Sequence, residues 1–179
     1  TLNGVTGIDI GAEIETAGGQ LTLAADFGQG ITIGAPLDTR GSGAADGSID
    51  INGRGGGGSQ DNPNAPGVTI EDIDIEDDFL IRSGKGELRI EGAGQSAPGL
   101  LIGGTIAFEE EASQNLTLKG SSSGAAAGIE VVGSLTTQGG NLTLEGLTGV
   151  EINGSVETNG GNLRIFDKDG FAVLGQGMK

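Results

Sequence analysis

At 179 residues the chain has room for one domain or one solenoid segment, and a net charge of -16 makes nucleic acid and anionic membranes poor partners. It has no cysteine, which removes a disulfide framework, a thiolate metal site and a cysteine nucleophile, and no apolar run approaches the ~20 residues of a membrane span. Glycine supplies 38 residues without a Gly-X-Y period, so collagen is excluded, and the recurrence of Ile, Leu and Val at every second position between the glycines excludes simple disorder.

The chain opens with Thr1-Leu2-Asn3-Gly4-Val5-Thr6-Gly7, which matches Thr143-Leu144-Glu145-Gly146-Leu147-Thr148-Gly149. It therefore starts inside a repeat, at the tail of a strand. It does not begin with Met, and it is expected to be a processed product or part of something longer. From Gly7 onward one template recurs: Gly-apolar-x-apolar, then x-apolar-x-Thr, then Asn-apolar-x-apolar. Repeats begin at Gly7, Gly30, Gly67, Gly99, Gly128 and Gly149, and a seventh opens at Gly170, at spacings of 23, 37, 32, 29, 21 and 21 residues. The organisation is thus a partial coil at 1–6, six coils and a partial coil at 170–179, all in one segment.

Alternation at period two marks half-buried strands, and Asn-Gly clusters between them mark turns that call for positive φ. First strands direct Ile8/Ile10, Ile31/Ile33, Val68/Ile70, Leu100/Ile102, Ile129/Val131, Val150/Ile152 and Phe171/Val173 inward. Third strands direct Leu21/Leu23, Ile49/Ile51, Leu88/Ile90, Leu116/Leu118, Leu142/Leu144 and Leu163/Ile165 inward. Second strands are looser: Ile14/Thr16, Leu37/Thr39, Ile106/Phe108, Leu135/Thr137 and Val156/Thr158. In the coil from Gly67 either Ile73-Asp74-Ile75 or Ile81-Arg82-Ser83 fits, and the second is preferred for its spacing to Leu88. One coil of 21 residues cannot bury its own apolar face, whereas stacked coils bury a continuous column. The expected fold is all-β: a parallel β-helix with three short strands per coil and about 21 residues per minimal coil.

Extra residues are expected at two corners. One lies between strands two and three (Arg40 to Gly47, Glu109 to Gln114). The other follows strand three (Ala24 to Gln29, Asn52 to Pro66, Glu91 to Pro98, Lys119 to Ala127). Loops on one edge of a solenoid are where a cell-surface or glycan ligand would bind. Thr16, Thr39, Thr137 and Thr158 are expected to stack and pair hydroxyls between coils. Asn115, Asn141 and Asn162 are expected to form an amide ladder. Glu130 and Glu151 should face outward on adjacent coils.

The units Gly-Gly-Asn-apolar-Thr-apolar at Gly139–Leu144 and Gly-apolar-x-Ile-x-Gly-x-apolar-x-Thr at Gly149–Thr158 resemble the repeats of filamentous-haemagglutinin-type large exoproteins, which are two-partner-secretion adhesins of Gram-negative bacteria, including cyanobacteria. The resemblance covers most of the chain and is clearest from Gly128 to Ile165. It implies a right-handed β-helix, an extracellular or cell-surface location, and a role in adhesion or as a stalk. The sequence contains no recognisable secretion domain and no toxin or receptor-binding module.

Catalysis is not expected. Glycoside hydrolysis needs a carboxylate pair at a defined separation, and Asp77-Asp78 is the one tempting pair. Histidine, the commonest general base, is absent, as are Trp and Tyr. Calcium is the candidate ligand, since hard cations take several carboxylate and carbonyl oxygens. The candidate metal residues are Asp72, Asp74, Glu76, Asp77 and Asp78, in a segment that starts with Glu71, then Asp167 and Asp169, with Glu109-Glu110-Glu111 as a third acidic run. No other cofactor is implied. The expected role is a non-catalytic shaft of an extracellular adhesin or surface fibre. The expected partners are continuation of the same chain or end-to-end self-association, as in a filament subunit.

Overall fold

The computed structural model describes residues 1–41, 47–56, 62–71, 81–82, 86–107, 114–167 and 172–174. Among these residues every regular element is a strand. A tail strand β1 (Leu2–Gly4) precedes six coils of three strands each. They are β2–β4 (Ile8–Ile10, Ile14–Glu15, Leu21–Ala25), β5–β7 (Ile31–Ile33, Leu37–Asp38, Ile49–Arg54), β8–β10 (Val68–Ile70, Ile81–Arg82, Leu88–Gly94), β11–β13 (Leu100–Ile102, Thr105–Ala107, Leu116–Ser122), β14–β16 (Ile129–Val131, Ser134–Thr136, Leu142–Gly146) and β17–β19 (Val150–Ile152, Ser155–Glu157, Leu163–Asp167). A final strand β20 (Ala172–Leu174) follows.

Equivalent strands of successive coils pair in parallel. The first strands form one seven-stranded sheet, β2-β5-β8-β11-β14-β17-β20, and the third strands another, β1-β4-β7-β10-β13-β16-β19. Strands that are neighbours in a sheet are separated in sequence by a whole coil. That arrangement is a parallel β-helix, with ladders running coil to coil at the ~4.8 Å spacing of adjacent strands.

The inward columns form one core. Leu23, Ile31, Ile51, Ile70, Ile90, Leu100, Leu118, Ile129 and Leu144 are 0 % exposed, each stacked on its equivalents above and below. Burying a side chain of this size contributes roughly 1.5–3 kcal/mol. At the two ends the core is open on one side: Ile8, Ile14, Leu163 and Ile165 are only partly buried, and Leu2 is exposed.

The alternative at the third coil resolves to Ile81-Arg82, which pairs with Leu37-Asp38 of β6 and leaves Ile81 fully buried. Residues 71–80 therefore separate strands one and two of this coil, a third insertion corner beyond the two expected. In the next coil Thr105 follows Ile102 after only two glycines. The second-strand column is accordingly split into two three-stranded sheets, β3-β6-β9 and β12-β15-β18.

Three further expectations are corrected. Much of the sequence after the third-strand apolar pair is strand, not loop: β10 and β13 pair in register over seven residues, from Leu88↔Leu116 to Gly94↔Ser122. In the last coil the register sets Ala172 against Val150 and Leu174 against Ile152, so Val173 falls opposite outward Glu151. The inward pair expected at Phe171/Val173 is thus shifted by one residue, and Phe171 lies outside the described residues. Finally, many glycines serve close approach and not positive φ. A Cβ on Gly92 would meet the carbonyl oxygen of Gly99, and one on Gly120 that of Gly128, because strand and return segment pass backbone to backbone. Asn153-Gly154 needs no positive φ, whereas Asn159 (46°) and Gly160 (106°) do.

Candidate functional site

In three coils the corner between strands two and three is built from Thr-x-Gly-Gly, starting at Thr16, Thr137 and Thr158. At Thr158 the Gly161 N–H donates to the Thr158 carbonyl at 3.1 Å, and the same bond joins Gly19 to Thr16 at 3.1 Å. Both central residues of each turn have positive φ: Asn159 and Gly160, and Ala17 and Gly18. This is the type I′ geometry, which explains the glycine at the second central position. The Thr hydroxyl then bridges the corner. Thr16, Thr39, Thr137 and Thr158 donate from Oγ1 to the carbonyls of Gly19, Gly47, Gly140 and Gly161 at 2.5, 2.8, 2.6 and 2.7 Å. The hydroxyls thus bond backbone carbonyls where pairing with one another was expected, and Thr137 Oγ1 also reaches the next coil, donating to the Thr158 carbonyl at 3.3 Å. The reason is proximity: the corner carbonyl lies only a few residues along the same chain.

Just past this corner the Asn column behaves as expected. Asn115 Oδ1 accepts from the backbone N–H and the Nδ2 of Asn141, both at 3.0 Å. Asn141 Oδ1 accepts the same pair of donors from Asn162, at 3.1 and 2.8 Å. A second amide rung stands beside it, unforeseen from the sequence: Asn159 Nδ2 donates to Gln138 Oε1 at 2.9 Å. The 21-residue offset between Gln138 and Asn159 was the available signal.

The edge that carries the strand extensions holds a groove of about 550 Å³ that crosses several coils. Its lining includes Phe27, Asn52, Arg54, Glu91, Gln95, Lys119, Ser121 and Leu147. Phe27 is 52 % exposed and Leu147 40 %. Arg89 pairs with Glu91 at 2.9 Å, and Lys119 lies 3.9 Å from Glu145. The insertions following strand three thus do converge on one edge. They produce a shallow, mixed-charge surface.

Of the candidate metal residues only Asp167 is described, at the end of β19 and half-buried. Asp72, Asp74, Glu76, Asp77, Asp78 and Asp169 lie outside the described residues, as do Glu109, Glu110 and Glu111. Among the described residues no group of three or more His, Cys, Asp or Glu side chains is placed to hold a metal ion. Glu130 and Glu151 are in register on β14 and β17, as expected, and Glu151 accepts from Asn153 Nδ2 at 2.9 Å.

Parallel ladders, a single apolar column and capped glycine corners define the class: a parallel β-helix. The chain matches no protein-family model, no curated protein and no solved structure.

Proposed function

We propose that this chain is a non-catalytic structural shaft of an extracellular adhesin or surface fibre. The observation that supports this reading is the unbroken register of the third-strand sheet, seven strands deep, over a core whose side chains in the middle coils are fully buried. Such a stack resists bending and proteolysis because each coil's backbone groups are engaged by the next coil. The groove at its inserted edge offers a surface for contact and lacks histidine, Trp and Tyr, as the whole chain does. The resemblance of its repeats to two-partner-secretion exoproteins agrees with an extracellular location. Immunogold labelling of intact source cells with antibodies to the folded chain tests the proposal. Label along surface fibres supports it, and label confined to the cell interior overturns it.

A further inference from the structure

We propose that Asn159 is a site of spontaneous covalent modification. The chain has four Asn-Gly pairs, at Asn3, Asn52, Asn153 and Asn159. Asn159-Gly160 is the one that loses its side-chain amide while the protein is folded, leaving aspartate or isoaspartate at the corner. The inference goes beyond the shaft reading and does not depend on it.

The chemistry is common to every Asn-Gly pair. The glycine backbone nitrogen gives its proton to hydroxide and attacks the Asn Cγ. A C–N bond forms, the Cγ–Nδ2 bond breaks, and the side-chain nitrogen leaves as ammonia. Water then opens the cyclic imide at either carbonyl. One product is Asp, and the other is isoAsp, with an added methylene in the main chain. Glycine favours the attack because it has no side chain to obstruct it.

All four asparagines are exposed, so the discriminating residue is the glycine. Gly4 and Gly53 lie inside the third-strand sheet, both in register with Ala25, and Gly53 also with Gly92. Both are crowded: a Cβ on Gly4 would meet the Gly7 carbonyl oxygen, and one on Gly53 that of Gly67. Gly154 N–H donates to Val131 O at 3.0 Å, and a Cβ there would meet the Gly133 carbonyl oxygen. Attack at these three sites must first separate one coil from the next. Gly160 is exposed, and a Cβ on it would meet nothing within 4 Å. Among the described residues its N–H donates to no backbone carbonyl.

The barrier that remains at Asn159 is local. Its φ is 46°, in the type I′ turn that Gly161 N–H closes on the Thr158 carbonyl at 3.1 Å. Swinging the Gly160 nitrogen onto Cγ takes Asn159 out of that conformation, so the turn must open. The side chain must also leave Gln138, whose Oε1 accepts from Asn159 Nδ2 at 2.9 Å. Both bonds sit at an exposed corner, and opening a corner costs less than opening a paired ladder. Gln138 is thus a positioning residue that holds the amide away from reaction. Modification removes the donor of that bond, because a carboxylate only accepts, and it sets a new charge two residues from Glu157.

The test is peptide mapping by mass spectrometry of the full folded chain aged in mildly alkaline buffer, with isoAsp identified by enzymatic methylation. Asn159 is expected to lose its amide at least about tenfold faster than Asn3, Asn52 or Asn153, the ratio given by a difference of about 1.4 kcal/mol in the cost of opening. In the chain unfolded in urea the four rates should converge, because the protection belongs to the fold. Gln138→Ala is expected to speed loss at Asn159 by about two- to tenfold, the factor carried by one hydrogen bond, and to leave Asn153 unchanged. The proposal is overturned if any other pair in the folded chain reacts as fast as Asn159, or if Asn159 keeps its lead in urea. An unchanged rate in Gln138→Ala overturns the restraint assigned to Gln138.

Discussion

Asp167 stands in register with Gly146 at the end of the third-strand sheet, and the connection to the next paired strand is one residue longer after Asp167 than after Gly146. Gly146 is followed after four positions by Val150, the first inward residue of the next coil, whereas Asp167 is followed by its equivalent Ala172 after five. A Cβ on Gly146 would collide with the Gly149 carbonyl and with Val150 Cγ2. Gly4 makes the same four-residue connection, to Ile8, under the same restriction. The tight return therefore requires glycine. Gly146→Ala is expected to cost about 2–3 kcal/mol, within the range of overpacked sites, because the obstacle is backbone that cannot rotate away. Gly11→Ala, where nothing lies within 4 Å, is the control and should be near neutral. Urea unfolding of both variants checks the contrast.

The corner hydroxyls differ in burial and should differ in worth. Thr137 is 0 % exposed, and its Oγ1 donates to Gly140 O at 2.6 Å. Thr137→Val keeps the shape and strands that buried carbonyl, at a cost of about 1–2 kcal/mol. Thr16→Val breaks the equivalent bond to Gly19 in an exposed corner, where water replaces the donor, and should lose less. Thermal denaturation of the pair decides whether burial sets the difference.

In the core, position along the stack should set the cost of truncation. Ile90 is fully buried between Ile51 and Leu118. Ile90→Ala is expected to destabilise by about 2–5 kcal/mol. Ile8, partly buried at the open end, should lose clearly less on the same change. Equal losses at the two positions, measured by chemical denaturation, would show that the end coils are as well packed as the middle.

Removing the middle rung of the ladder should be felt on both sides. Asn141→Ala deletes the donor to Asn115 and the acceptor for Asn162, and a loss of about 1 kcal/mol is expected for these exposed bonds. Asn141→Asp retains an acceptor for Asn162 and loses only the donor, so it should fall between the alanine variant and the parent. Hydrogen exchange of the Asn162 amide reads the effect locally.

Lys119→Ala should change stability by no more than about 0.5 kcal/mol. Its partner Glu145 is 3.9 Å away and both side chains are more than a third exposed or close to it, so solvent screens the pair. Melting at low and high salt checks this.

The sequence by itself determined the coil and its stacking. A strict period of two between glycine corners, repeated at a minimum step of 21 residues, leaves a parallel β-helix as the arrangement that buries Ile, Leu and Val from every coil, and the Asn115–Asn141–Asn162 column was legible from the same offset. What the tertiary structure alone decided were matters of distance between segments. Whether Thr137 bonds a neighbouring hydroxyl or its own corner depends on which acceptor is nearer in space. Whether residues after Leu118 form loop or strand depends on a partner strand, β10, supplied from another coil. Whether Gly120 is there for its φ or for its missing Cβ depends on the Gly128 carbonyl that passes beside it. The shift of β20 by one residue and the split of the second-strand sheet have the same origin. Periodicity specifies which side of a strand faces inward, while connection length and close approach are settled only when two backbones occupy the same space.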